Sequence, residues 1–195
     1  MKVGVTTKPR YAARVHELVA GHPMLERLVE PMLRARDALR AEFAALHRQL
    51  LAVVRDDATC RRLMTAPGVG AVVAATFTSA VDDPGRFAKS RSVGAHFGLT
   101  PRRYQSGETD VAGGISRVGD AMARTALYEA AQSVLTRTTR FSALKRWAME
   151  VAKRRGMRRA KVALARKLAC VLHRLWIDGS EFRFGKEGRP HERVR

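Results

Sequence analysis

Leu25, Leu28, Met32, Leu39, Phe43, Leu46, Leu50 and Val54 recur at spacings of three, four and seven residues, which commits the front of the chain to one long helix with an apolar stripe. Glu26, Arg27, Arg34, Arg36 and Arg40 fill the other face. A shorter helix is expected from Arg10 to Ala20, stopped by Gly21, and Pro23 sits where the long helix can begin, with a kink expected at Pro31. Two arrangements satisfy the stripe: a coiled-coil arm against another chain, or an ordinary amphipathic helix on its own domain. Periodicity does not choose between them. Residues 1–9 carry neither helical nor strand patterning and read as the end of a preceding segment.

Asp56 and Asp57 close the arm, and CRRLMTAPGVGAVVAATFTSAV then reads as a short helix, a PGVG turn and an apolar helix. That order is the pattern of a helix-hairpin-helix. In such a motif Gly68 and Gly70 let backbone N–H groups at the second helix's start approach a phosphate. The plainer reading gives both glycines only a packing role in a tight helix-helix turn. A turn at Asp82–Gly85 leads into a short helix within RFAKSRSVGAHFGL, with Val93 and Phe97 inward and His96 packed at the core edge.

The stretch LTPRRYQSGETDVAGGISRVGD, residues 99–120, holds the densest set of chemically useful groups. Pro101, Gly107, Gly113, Gly114 and Gly119 exclude a regular helix and predict a Gly-rich loop. Ser106 directly precedes a glycine and is bracketed by Arg102, Arg103 and Arg117, so it is the candidate nucleophile with three candidate phosphate-binding cations. A loop serine beside glycine also serves simply as a turn former. His96, Glu108 and Asp110 are the nearby groups that could take its proton. Helix resumes from Arg117 to Leu135, with Ser116 as its expected N-cap and Met122, Leu127, Ala130 and Val134 as its core stripe.

Thirty-seven Lys and Arg against 18 Asp and Glu give a net charge of +19, which calls for a polyanionic partner. Aromatic residues are only 6%, too few for the anchors of a membrane-surface helix, so nucleic acid leads. Between Arg140 and Lys167 stand 11 basic residues and one acid, Glu150. On a helix from Arg158 to Trp176, Leu164, Leu168, Val171, Leu172 and Leu175 share one face, while Arg159, Arg166, Lys167 and Arg174 share the other and are expected to contact phosphates. Residues 63–81 are the one uncharged stretch of membrane-spanning length, but Pro67, Gly68 and Gly70 break it and several hydroxyls make it too polar. Cys60 and Cys170 lack metal-ligand or disulfide-framework spacing, and no secretory pattern opens the chain, so no metal site is expected and a reducing cytoplasm is the default.

Taken together, APGVG, DDPGRF, VGAHFGLTPRRYQSGE and GGISRVGD, in this order, resemble the C-terminal domain of the large insertion-sequence transposase family numbered one hundred and ten, related to the Piv DNA invertases. The resemblance covers about residues 60–178. It implies a serine nucleophile in the Tyr104-Gln105-Ser106-Gly107 stretch, DNA as substrate, and for some members a structured guide RNA. It also implies an N-terminal RuvC-like domain with four acidic Mg2+ ligands, for which this sequence has no counterpart: Glu17, Glu26, Glu30 and Asp37 fall on helices with charge-pair spacing. The chain thus looks truncated.

The expected architecture is mainly α. A linker and coiled-coil-like arm (1–59) precede a compact helical domain with a helix-hairpin-helix-like start and one Gly-rich loop (60–178), then a basic flexible tail (179–195). The expected function is the DNA-binding part of a transposase, forming homo-oligomers through the arm and without strand cleavage of its own. The alternative is a non-enzymatic nucleic-acid-binding module in which Ser106 only makes a turn.

Overall fold

In a computed structural model the described residues are 2–106 and 109–184, with side chains left undescribed for 103–112. The chain divides into two compact units, Met1–Leu50 and Leu51–Arg195.

The first unit holds α1 (Tyr11–Val19) and most of α2 (Pro23–Asp56). Gly21 makes the break between them at φ +81°, and Pro31 lies inside a continuous helix. Val15 and Val19 of α1 and Leu33 of α2 are buried. The Arg36 guanidinium lies 4.7 Å from the centre of the Tyr11 ring and donates to the Lys8 carbonyl at 3.4 Å. The expected stripe is bare on both sides of that point: Leu25, Leu28 and Met32 are exposed, and Leu39, Phe43 and Leu46 are 71%, 71% and 62% exposed. Leu33, absent from the expected stripe, is the buried α2 residue here, whereas Val54, placed in the stripe, is buried in the second unit.

In the second unit follow α3 (Ala58–Leu63), α4 (Ala71–Val81), a single 3-10 turn (Pro84–Arg86), α5 (Arg91–His96), β1 (Pro101–Ser106), β2 (Thr109–Ile115), α6 (Ala121–Thr136), α7 (Ala143–Arg155) and α8 (Met157–Ile177). The last helix is the hub. α3, α5, α6 and α7 all pack on it, and α4 packs on α3 and α6. The 3.6-residue period explains why: Leu164, Leu168, Leu172 and Leu175 are buried as expected, and Val171 is half-buried. Ala160, Ala165 and Ala169 on α8, with Ala123, Ala126, Ala130 and Ala131 on α6, are buried as well, and such small side chains let helix axes approach closely. Phe77, Phe97, Leu63 and Leu127 complete the centre of the core.

The stretch expected to be a Gly-rich loop is instead an antiparallel hairpin. Arg103 pairs with Ala112, Tyr104 with Val111, Gln105 with Asp110 and Ser106 with Thr109, with a register irregularity between Pro101 and Arg103. The α6 helix starts at Ala121, later than expected, because Asp120 rather than Ser116 is its cap: the Asp120 carboxylate accepts from Ala123 N–H at 2.7 Å. Met122, assigned to the core, is 71% exposed, while Leu127, Ala130 and Val134 are buried. No helix among the described residues is long and apolar enough to cross a membrane.

Candidate functional site

Ser106 ends β1 opposite Thr109, at the end of the hairpin away from the helical core, with Gly107 and Glu108 lying outside the described residues. The hairpin is held at its base. Ser116 N–H donates to the Thr100 carbonyl at 2.9 Å, Arg117 N–H to Gly98 at 3.1 Å, and the Arg124 guanidinium to the Phe97 and Val118 carbonyls at 3.1 Å each. Gly119 takes φ +79° there, and a β-carbon on it would collide with the His96 carbonyl oxygen. Arg117 adopts φ +59°, a conformation that costs a non-glycine residue on the order of 1 kcal/mol.

This geometry separates groups expected to stand together. Arg102 donates to the Ser116 carbonyl at 3.0 Å and so serves the hairpin base. Four residues of extended strand put it roughly 13 Å from Ser106 along β1. Arg117 also lies at the base, and His96, though exposed, meets the Phe87 and Phe97 rings edge-on. The side chains of Arg103, Ser106 and Asp110, and all of Glu108, lie outside what is described.

At the α3–α4 turn the two glycines part company. Gly68, at φ +76°, is turned toward α6, where a β-carbon would stand 2.5 Å from the Ala130 carbonyl oxygen and 2.7 Å from Val134 Cγ2. Its role is close packing. Gly70 is exposed, has open space where a β-carbon would be, and precedes the first turn of α4 without a side-chain cap. Asp57 caps α3 by accepting from Thr59 and Cys60 N–H at 2.7 and 2.9 Å, and the Cys60 bond foremost holds its carboxyl below the usual range. The segment after α8, expected to be frayed, returns to this turn: Phe182 N–H donates to Thr65 Oγ1 at 2.8 Å.

Arg159, Arg166, Lys167 and Arg174 are all exposed on α8. They are not equivalent. Arg174 is paired with Asp178 at 2.6 Å, Lys167 places its ammonium 4.0 Å from the centre of the Trp147 ring, and the stem of Arg166 lies where Gly94 of α5 leaves room. Several described acids elsewhere are likewise engaged: Glu17 with Arg14, Glu30 with Arg34, Asp37 with Arg36, Glu150 with Lys153, and Asp57, Asp83 and Asp120 as caps. Among the described residues no set of three His, Cys, Asp or Glu converges on one point.

His173 carries a role that sequence reasoning missed. It is buried on α8, with Nε2 2.9 Å from the Pro84 carbonyl and Nδ1 2.9 Å from Ser90 Oγ. A carbonyl only accepts, so Nε2 carries the proton, and in the neutral ring Nδ1 accepts from the Ser90 hydroxyl. The histidine thereby ties the 3-10 turn and the start of α5 to the hub helix. A lone histidine in an apolar helix face gives no signal of this kind. The thiols of Cys60 and Cys170 are pushed up by burial, which makes them poor nucleophiles.

Residues 60–148 match the domain of the Transposase IS116/IS110/IS902 family. The chain is 36% identical over 138 residues, 70% of its length and 38% of the relative's, to the transposase for insertion sequence element IS1111A of Coxiella burnetii. It is 31% identical over 168 residues, 86% of its length and 49% of the relative's, to the transposase for insertion sequence element IS1328 of Yersinia enterocolitica. The chain therefore spans less than half the length of these curated relatives. Its homologues are transposases, and the matched domain, from Cys60 to Ala148, supports placing the second unit with the IS116/IS110/IS902 family.

Proposed function

We propose that this chain is the C-terminal, nucleic-acid-binding part of an insertion-sequence transposase, with Ser106 as the nucleophile of strand exchange. The observation that carries the reading is the coincidence of the family match over residues 60–148 with a hairpin that ends at Ser106 and a strongly basic second unit. In the proposed step the Ser106 hydroxyl attacks a backbone phosphate. An Oγ–P bond forms as one P–O ester bond breaks, the serine proton passes to a base, and the leaving sugar oxygen takes up a proton. Exchange of one ester for another conserves the bond for rejoining. The base would be Glu108 or Asp110 or would come, with the metal ligands, from an acidic RuvC-like domain carrying Mg2+, with DNA and, for a guided member, a structured RNA as partners, in the bacterial cytoplasm at the nucleoid.

The exposed α2 stripe supports self-association as part of this reading. A second copy of the same helix would cover Leu39, Phe43 and Leu46 in a coiled coil.

One observation favours the second reading, a binding module without chemistry: Arg102 and Arg117 stand at the hairpin base rather than beside Ser106. Supercoiled-plasmid cleavage and exchange by the complete protein separate the two. Ser106→Ala should abolish exchange and leave DNA binding nearly unchanged, and full activity in that variant would reject the serine.

A further inference from the structure

Three cation–aromatic contacts involve residues of the segment from Arg140 to Trp147, at and just beyond the corner between α6 and α7. Arg140 lies 3.9 Å from the centre of the Phe184 ring, Arg146 lies 5.6 Å from Phe141, and Lys167 lies 4.0 Å from Trp147. Phe182 meets Phe184 edge-on at 5.0 Å. Phe141 is 42% exposed, and Trp147, Phe182 and Phe184 are half-buried, so the rings are not consumed by the core.

The position of Phe141 sharpens the point. It directly precedes Ser142, whose hydroxyl caps α7 by accepting from Lys145 N–H at 3.1 Å. An apolar residue at that place ordinarily packs on another apolar residue four positions into the helix, and here the partner is the Arg146 guanidinium. The Lys145 ammonium donates to the Thr138 carbonyl at 2.6 Å and braces the loop from inside. The corner therefore offers aromatic faces and guanidinium planes on a fixed backbone, inside the most basic part of the chain.

Rings and guanidinium planes stack on bases, and only unpaired bases present their faces; in a duplex those faces are already stacked on neighbours. A surface for duplex phosphates alone needs cations and no rings. We propose that the α6–α7 corner, with Phe141 and Trp147 as stacking rings and Arg140, Arg146 and Lys167 as phosphate partners, binds unpaired nucleotides of a single strand. This rests on the nucleic-acid-binding reading of the second unit and names the form of nucleic acid that this corner takes.

The test uses the full chain and compares oligo(dT), oligo(U) and a short duplex at matched salt. Phe141→Leu keeps an apolar side chain before the cap but removes the ring, and circular dichroism checks that the helices remain. It should weaken single-strand binding about tenfold and change duplex binding by less than about twofold. Tryptophan emission should be quenched by oligo(dT), and Trp147→Leu should remove that quench while Trp176 still emits. A preference for oligo(U) or for oligo(dT) identifies the strand as RNA or DNA, and either supports the site. Equal loss on single strand and duplex, or no loss on either, overturns the stacking role while leaving duplex binding intact. Wild-type chain that binds none of the three at low salt overturns the nucleic-acid reading itself.

Discussion

Gly68 and Ala130 approach so closely that the α3–α4 turn rests on the backbone of α6: a β-carbon on the glycine would stand 2.5 Å from the alanine carbonyl oxygen. Gly68→Ala combines that collision with a left-handed φ and should destabilise the second unit by about 2 kcal/mol or more. Gly70→Ala meets open space and should change stability by less than about 1 kcal/mol. Chemical denaturation measures both. If Gly70→Ala nevertheless lowers DNA affinity at low salt, the turn approaches phosphate through Gly70; if neither variant does so beyond its effect on folding, the turn is only a packing element.

Asp57 links α3 to pH. Its carboxyl is held below the usual range by accepting backbone N–H bonds, so its stabilisation is fully present above the unfolded-state value and is lost as pH falls below about 4 through the folded-state value. Asp57→Ala should cost about 1 kcal/mol at neutral pH, and that difference should shrink in acid. Denaturation midpoints of the two proteins across the acid range check this; a difference that stays constant would show that the charge on the cap contributes nothing.

Salt should weaken DNA binding steeply, because exposed Arg159 and Arg166 have no acidic partner among the described salt bridges. Arg159→Glu with Arg166→Glu should reduce affinity by at least about tenfold at low salt and flatten the log–log salt slope. Arg174→Glu should do less, since Arg174 already pairs with Asp178. An unchanged slope in the double variant would remove this face of α8 as the contact surface.

The α2 stripe should make the chain a dimer or higher oligomer at micromolar concentration. Phe43→Glu with Leu46→Glu should leave helix content unchanged and return the particle to 21.6 kDa by light scattering. A wild-type particle that is already monomeric would refute self-association through this helix.

The helices were legible where burial follows a period. Leu164, Leu168, Leu172 and Leu175 announce the inner face of α8, and Gly21 and Pro23 mark the joint between α1 and α2. The hairpin was not legible, because PRRYQS and TDVAGGI lack the apolar alternation of a half-buried strand, and their pairing depends on contacts at the base made by Gly98 and Thr100. Ser116 looked like a cap because it stands before a helical pattern, but Asp120 is nearer the first turn and its carboxylate reaches Ala123 N–H. Met122 falls on the right period yet within the first turn of α6, where it stays in solvent. Of the candidate site, the exposed cations of α8 were readable from helical angles. The separation of Arg102 and Arg117 from Ser106 was not, since neighbours in sequence become distant once the chain is extended.

The position of α8 as hub has a consequence for synthesis. Helices α3, α5, α6 and α7 emerge from the ribosome before the helix whose leucines and alanines they enclose, so the second unit cannot close its core until α8 follows them. Until then α4 can already pack on α3 and α6, while the faces of α5, α6 and α7 that α8 covers stay open to water, so a chain arrested ahead of α8 should expose apolar surface.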